Sequence, residues 1–181
     1  MLDISKFLVQ HEINFVDGFL LDSDYKNIGT SAINLGDYEW AKEFIETYKQ
    51  SLIPQARESA YSYLLAFLCY STKDYKAALQ ALYNVVFTNW TYHAGAKVIQ
   101  VRIYYELNET DVMEALLNSM KAYLSRKEQL GYHRDNYENI VRLFRKLMNL
   151  NPYDKKEKEA FRKELESSKV TEKEWLLDRV K

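Results

Sequence analysis

The sequence predicts an all-α protein of antiparallel helix pairs, about nine to ten helices in total. Three observations carry this. The 181 residues include only 5 Gly and 2 Pro, too few for a chain of many strands and tight turns. Apolar residues recur at helical spacing along most of the chain. A pattern of small and aromatic residues then repeats after 37 residues, from Asp37 to Asp74.

The first helical pattern places Ile4, Phe7, Leu8, His11 and Phe15 on one side, with Asp3 as its N-cap. Asp22, Ser23 and Asp24 then cap a helix that runs to about Leu35, where Gly36-Asp37 breaks it. The next helix runs from Tyr38 to about Leu52 and is stopped by Pro54. Helices follow over about 55–71 and 75–87, turning at Lys73-Asp74, and over about 92–107 and 111–127, turning at Asn108-Glu109-Thr110. Another spans about 134–150 and ends at Asn151-Pro152, and a highly charged one covers about 155–167. Thr171-Glu172-Lys173-Glu174 reads as a capping box that opens a short last helix.

Composition bounds the function. Hydrophobic residues make up 47% of the chain, enough for a continuous core. The formal net charge of −1 weighs against a nucleic-acid binder that works through a broad basic surface. Charge is nevertheless uneven. Residues 1–60 hold ten acidic and five basic side chains, whereas residues 134–181 hold thirteen basic and ten acidic ones. Such a distribution either favours head-to-tail contacts or reflects two ordinary solvated surfaces. Cys69 is the single cysteine, which excludes an intrachain disulfide and a cysteine-rich metal site. Its neighbours Leu68 and Tyr70 suggest a small buried hydrophobe. The sequence shows no signal-peptide pattern and no apolar run near the roughly 20 residues of a membrane span, so the expected location is the cytoplasm.

No catalytic motif is legible. The five glycines are scattered and form no phosphate loop. His11, His93 and His133 have no metal-ligand spacing, and carboxylates such as Glu43 and Glu46 are placed as on any solvated helix. The expectation is a protein without enzymatic activity, metal or cofactor.

The repeat itself is more informative. Ile28-Gly29, Leu35-Gly36-Asp37-Tyr38 and Ala41 align with Leu65-Ala66, Thr72-Lys73-Asp74-Tyr75 and Ala78, and a weaker copy turns at Leu107-Asn108-Glu109. These residues resemble the tetratricopeptide repeat (TPR). The likeness is strong over residues 22–90, moderate to 128 and weak beyond. Lys73 stands where the family has Gly, and Trp90 where it has Pro. The resemblance implies a right-handed superhelix of antiparallel helix pairs, an α-solenoid. It divides the chain into an N-terminal helix over 1–21 that ends a preceding repeat, three pairs over 22–130, and a degenerate pair with a capping helix over 131–181. It further implies that Gly29, Ala66, Ala41 and Ala78 allow paired helices to approach, and that Tyr38 and Tyr75 fill the space between repeats.

In this family the first helix of each pair lines a concave groove. Carrying that register over gives Lys26, Thr30 and Asn34, then Tyr63, Phe67 and Tyr70, then Val98, Arg102, Tyr105 and Glu106, with Arg145 from the fourth pair. The lining suits a peptide or a partner domain. Family members that clamp a C-terminal carboxylate match here at Lys26 and Arg102, but Thr30 and Val98 depart from that set. Many of the fifteen tyrosines are equally suited to packing between helices. The functional expectation is therefore a protein-interaction scaffold. The alternatives are a regulatory part of a longer protein, suggested by the abrupt helical start at Met1-Leu2-Asp3, and an RNA-binding helical repeat.

Overall fold

The computed structural model describes residues 2–83, 90–126 and 132–181, with side chains in the last stretch from 134 onward. It is all-α apart from one small hairpin. The helices are α1 (Leu2–Gln10), α2 (Asp22–Asn34), α3 (Tyr38–Tyr48), α4 (Pro54–Ser71), α5 (Tyr75–Tyr83), α6 (Trp90–Glu106), α7 (Thr110–Arg126), α8 (Tyr132–Met148), α9 (Lys155–Ser167) and α10 (Lys173–Arg179). The parts of the expected helices over 84–87 and at Lys127 lie outside the described residues.

Three inter-helix turns share one backbone solution. After α2, Gly36 has φ +79°, its N–H donates to Ile33 O, and the Asp37 N–H donates to Ala32 O. After α4, Lys73 has φ +65° with the same two bonds, to Tyr70 O and Cys69 O. After α6, Asn108 has φ +56° and the bonds go to Tyr105 O and Tyr104 O. A left-handed residue just past a helix end turns the chain while its neighbours satisfy the last carbonyls. Lys73 does so without the freedom of a glycine. Asp74 then caps α5 by accepting from the Ala77 N–H at 3.0 Å.

The chain forms two compact units, residues 1–103 and 104–181, divided within α6. This division follows contact density, and the sections 1–21, 22–130 and 131–181 followed repeat spacing. In the first unit α2 packs on α3 and on α4, α3 packs on α4, and α4 packs on α5. Its core includes Tyr25, Phe44, Ile45, Leu64, Ala41, Ala66 and Ala78. Gly29 serves a contact one pair further on than expected: the three atoms nearest a Cβ there all belong to Leu64 on α4, Cδ1 at 2.5 Å. Tyr38 is exposed rather than wedged between repeats, and Tyr75 lies against Tyr70 of its own pair, with ring centroids 5.9 Å apart.

In the second unit Met113, Leu117, Leu124, Phe144, Phe161 and Leu176 are buried. Trp175 of α10 stacks on Phe144 of α8 at 5.2 Å. Glu164 of α9 is held ionised, well below the usual carboxylate range, by Lys146 and Arg142 of α8, which donate to it. Asp154 caps α9 by accepting from the Lys156 and Glu157 N–H groups.

Several local expectations need correction. Helix α1 starts at Leu2, so Asp3 lies in its first turn and is not its cap, and the helix ends at Gln10. Phe15–Val16 and Phe19–Leu20 then pair as a hairpin, β1 and β2, around Asp17 (φ +50°) and Gly18 (φ +80°). Two successive left-handed residues make the type I′ turn whose twist suits paired strands. Asp22 and Asp24 lie in the first turn of α2, whose cap position is Leu21. Helix α3 ends in a 3₁₀ turn at Lys49–Ser51, and Pro54 opens α4 as its first residue, where its missing N–H removes no helical bond. The capping box at Thr171 does not form: Thr171 instead exchanges hydrogen bonds with the Asn136 side chain, and α10 starts without a side-chain cap.

Candidate functional site

The groove register starts from α2, and the structure splits it. Lys26 is half-buried, its Nζ 5.3 Å from the Tyr63 ring centroid and 5.5 Å from that of Tyr92. Burial pushes the Lys26 pKa below its ordinary value, opposed in part by Asp22. The two rings meet edge to face at 5.6 Å, and the Tyr92 hydroxyl donates to the Asp22 carbonyl at 2.8 Å. Gly95 of α6 makes this possible, since a Cβ there would come within 2.7 Å of the Tyr63 ring. Lys26, Tyr63 and Tyr92 thus form one aromatic and cationic cluster spanning α2, α4 and α6.

A second cluster lies further along α4 and α6. The Arg102 guanidinium sits 5.8 Å from the Tyr70 ring, and Tyr70 also faces Tyr75. Phe67, between the two clusters in sequence, belongs to the core at 9% exposure and presents little to a groove. Val98 is buried as well. Thr30 is half-buried, and its hydroxyl oxygen has no hydrogen-bond partner among the described residues. Asn34 is exposed and lines a different recess, with Leu2 and Leu8 of α1 and Asn14. The helix rotates by about 100° per residue, so positions eight apart on α2 face different neighbours.

The remaining register residues belong to the second unit and are held by its own helices. Tyr105 meets Trp175 edge to face at 5.4 Å, and burial raises its pKa. Glu106 accepts from Arg179 Nε at 3.0 Å and from a terminal guanidinium nitrogen at 2.6 Å. Arg145 donates to Glu114 at 3.1 Å and to Asn118 at 2.6 Å. These three side chains join α6, α7, α8 and α10 within the unit.

Tyr92 and Trp175 escaped the sequence reading. Gly95 was the available signal for Tyr92, because a glycine inside a helical pattern marks close approach by a neighbour. Nothing equivalent marks Trp175.

Cys69 is half-buried, not fully so, and burial followed by Asp74 pushes its thiol pKa up, away from a reactive thiolate. Among the described residues no group of three His, Cys, Asp or Glu is placed to hold a metal ion. No described helix is long and apolar enough to cross a membrane. No protein family, curated protein or solved structure matches the chain.

Proposed function

We propose that this chain is a non-catalytic TPR-like helical repeat of the α-solenoid type, a scaffold that binds a peptide or partner domain. The binding surface is the part of the first unit that carries Lys26, Tyr63, Tyr70 and Arg102. The observation that carries the reading is the recurrence of one left-handed turn with the same two hydrogen bonds at Gly36, Lys73 and Asn108. Such a turn ends many helices, and what supports a stacked repeat is its recurrence 37 and then 35 residues on, where the sequence pattern also repeats. Packing of α2 on both α3 and α4 supports the same reading. Half-buried aromatic rings with cations above them provide rigid contact area of the kind enriched at interfaces.

The test is retention of host proteins by the immobilised chain and by Lys26→Glu, Arg102→Glu and a control, Lys156→Glu, on the exposed side of α9. A protein held by the parent and the control but lost from both groove variants, all equally helical by circular dichroism, supports the reading. Truncating a central anchor such as Arg102 to Ala then weakens binding by about 2 kcal/mol or more. Equal retention by all four chains, or none by the parent, rejects this surface.

A further inference from the structure

The N-terminal segment is apolar on both sides. On α1, Val9 is buried and Leu2 and Leu8 are half-buried, while Ile4 and Phe7, one turn apart on the other side, are 65% and 54% exposed. In the hairpin, Leu20 is buried, but the cross-strand pair Val16 and Phe19 is 51% and 38% exposed. Side chains directly opposite in a hairpin share a face, so Val16 and Phe19 form one outward apolar pair. Single exposed apolar residues are ordinary, whereas several large ones on consecutive elements mark a docking surface. Asp3, Glu12 and Asp17 are interspersed among them, and Lys6 between Ile4 and Phe7 is paired with Asp37.

The second unit carries a surface of opposite character. A cleft of about 520 Å³ opens between α7 and α8, within the roughly 300–1,000 Å³ typical of ligand-holding clefts. Buried Leu124 and Val141 give it an apolar floor. Among the described residues Lys121, Arg134, Arg142 and Arg145 line it with one carboxylate, Glu138. Arg134, Arg142 and Arg145 are engaged by Glu138, Glu164 and Glu114, while among the described residues Lys121 makes no ion pair.

We propose that the acidic, apolar N-terminal segment of one copy docks into the α7–α8 cleft of a second copy. Its apolar side chains meet Leu124 and Val141, and its carboxylates meet the cationic lining. Pairing of two N-terminal segments is disfavoured, because each lies in the stretch with twice as many acidic as basic residues. The contact is heterologous, so after it forms one copy keeps an unused cleft and the other an unused N-terminal segment. Association then grows with concentration, either by closing a ring or by adding further copies.

Sedimentation velocity on the full chain tests this, with two double variants at exposed positions. Phe7→Lys with Val16→Lys disables the N-terminal surface, and Lys121→Glu with Ser125→Asp disables the cleft. The parent is expected to show a mass that rises with concentration and falls as salt screens the charges. Each variant alone is expected to remain a single chain, and an equimolar mixture to form a dimer through the one intact surface on each. A parent that stays a single chain at every concentration overturns the proposal. So does a cleft variant that still self-associates while the N-terminal variant does not, since that is N-terminal pairing. The parent's concentration and salt dependence decides the matter if a variant fails to fold. Loss of host-protein retention by Lys26→Glu is a separate readout, so either conclusion can fail without the other.

Discussion

Gly29 shows how one missing methyl group sets a helix–helix distance. Leu64 has no exposed surface and fills the space a Cβ would take. Gly29→Ala gains helix propensity of about 1 kcal/mol, but overpacking costs about 1–3 kcal/mol, so the net change is destabilising. Leu64→Ala alone costs about 2–5 kcal/mol through its cavity. In that background the methyl group of Gly29→Ala enters empty space, and the same substitution becomes stabilising. Urea midpoints of the four chains in this cycle are expected to show the change of sign, and additive effects would place the two residues out of contact. Lys73 is the converse case. A β-carbon in the left-handed region costs about 1–2 kcal/mol, so Lys73→Gly is expected to raise stability by about 1 kcal/mol despite the added chain entropy of glycine.

The N-terminal hairpin depends on a two-residue turn. Gly18 has open space around it, so sterics do not forbid a side chain there, but its φ of +80° does. Gly18→Val is expected to cost about 1–2 kcal/mol, and Gly18→Asn much less because Asn tolerates this backbone. Hydrogen exchange at Phe15 to Leu20 reads the difference directly. The short α10 is held by its side chains rather than by its own propensity, which is weak at this length. Trp175 lies between Phe144 and Tyr105, and Arg179 grips Glu106. Trp175→Ala is expected to release α10 and destabilise the second unit by less than the about 3–5 kcal/mol of a fully buried ring, because Trp175 is half-buried. Loss of near-ultraviolet dichroism with little change in the far ultraviolet would accompany it.

Across the whole molecule, buried phenols couple stability to alkaline pH. Burial raises Tyr25 and Tyr92 well above the ordinary 10.0, and Tyr61 and Tyr137 to about 12. As pH rises past 10.0, unfolded chains release these protons while folded chains keep them. The unfolded state then binds fewer protons, and stability falls with pH. Below that value these tyrosines add no slope. Urea midpoints are therefore expected to drop steeply above pH 10. Tyr25→Phe makes the drop shallower, and at neutral pH it costs about 1 kcal/mol for the lost bond from the Tyr25 hydroxyl to Ile45 O at 2.8 Å.

The sequence by itself determined the helices and the turns between them. Spacing of apolar residues is a local property, and so are the breaks at Gly36-Asp37, Lys73-Asp74 and Asn108-Glu109, each of which became a left-handed turn. The Asp17-Gly18 hairpin was also written locally, but its two-residue strands are too short to alternate visibly and were absorbed into a helical pattern. Only the tertiary structure decided which neighbour each residue serves. Gly29 reaches past its partner helix to Leu64, Phe67 turns inward to the core, and Asn34 rotates towards α1 while Lys26 lies over Tyr63 and Tyr92. Tyr105, Glu106 and Arg145, assigned to a groove by register, are held by Trp175, Arg179 and Glu114. A register fixes the angle at which a side chain leaves its helix, but occupancy of the space beyond is set by residues distant in sequence, and periodicity carries no record of them.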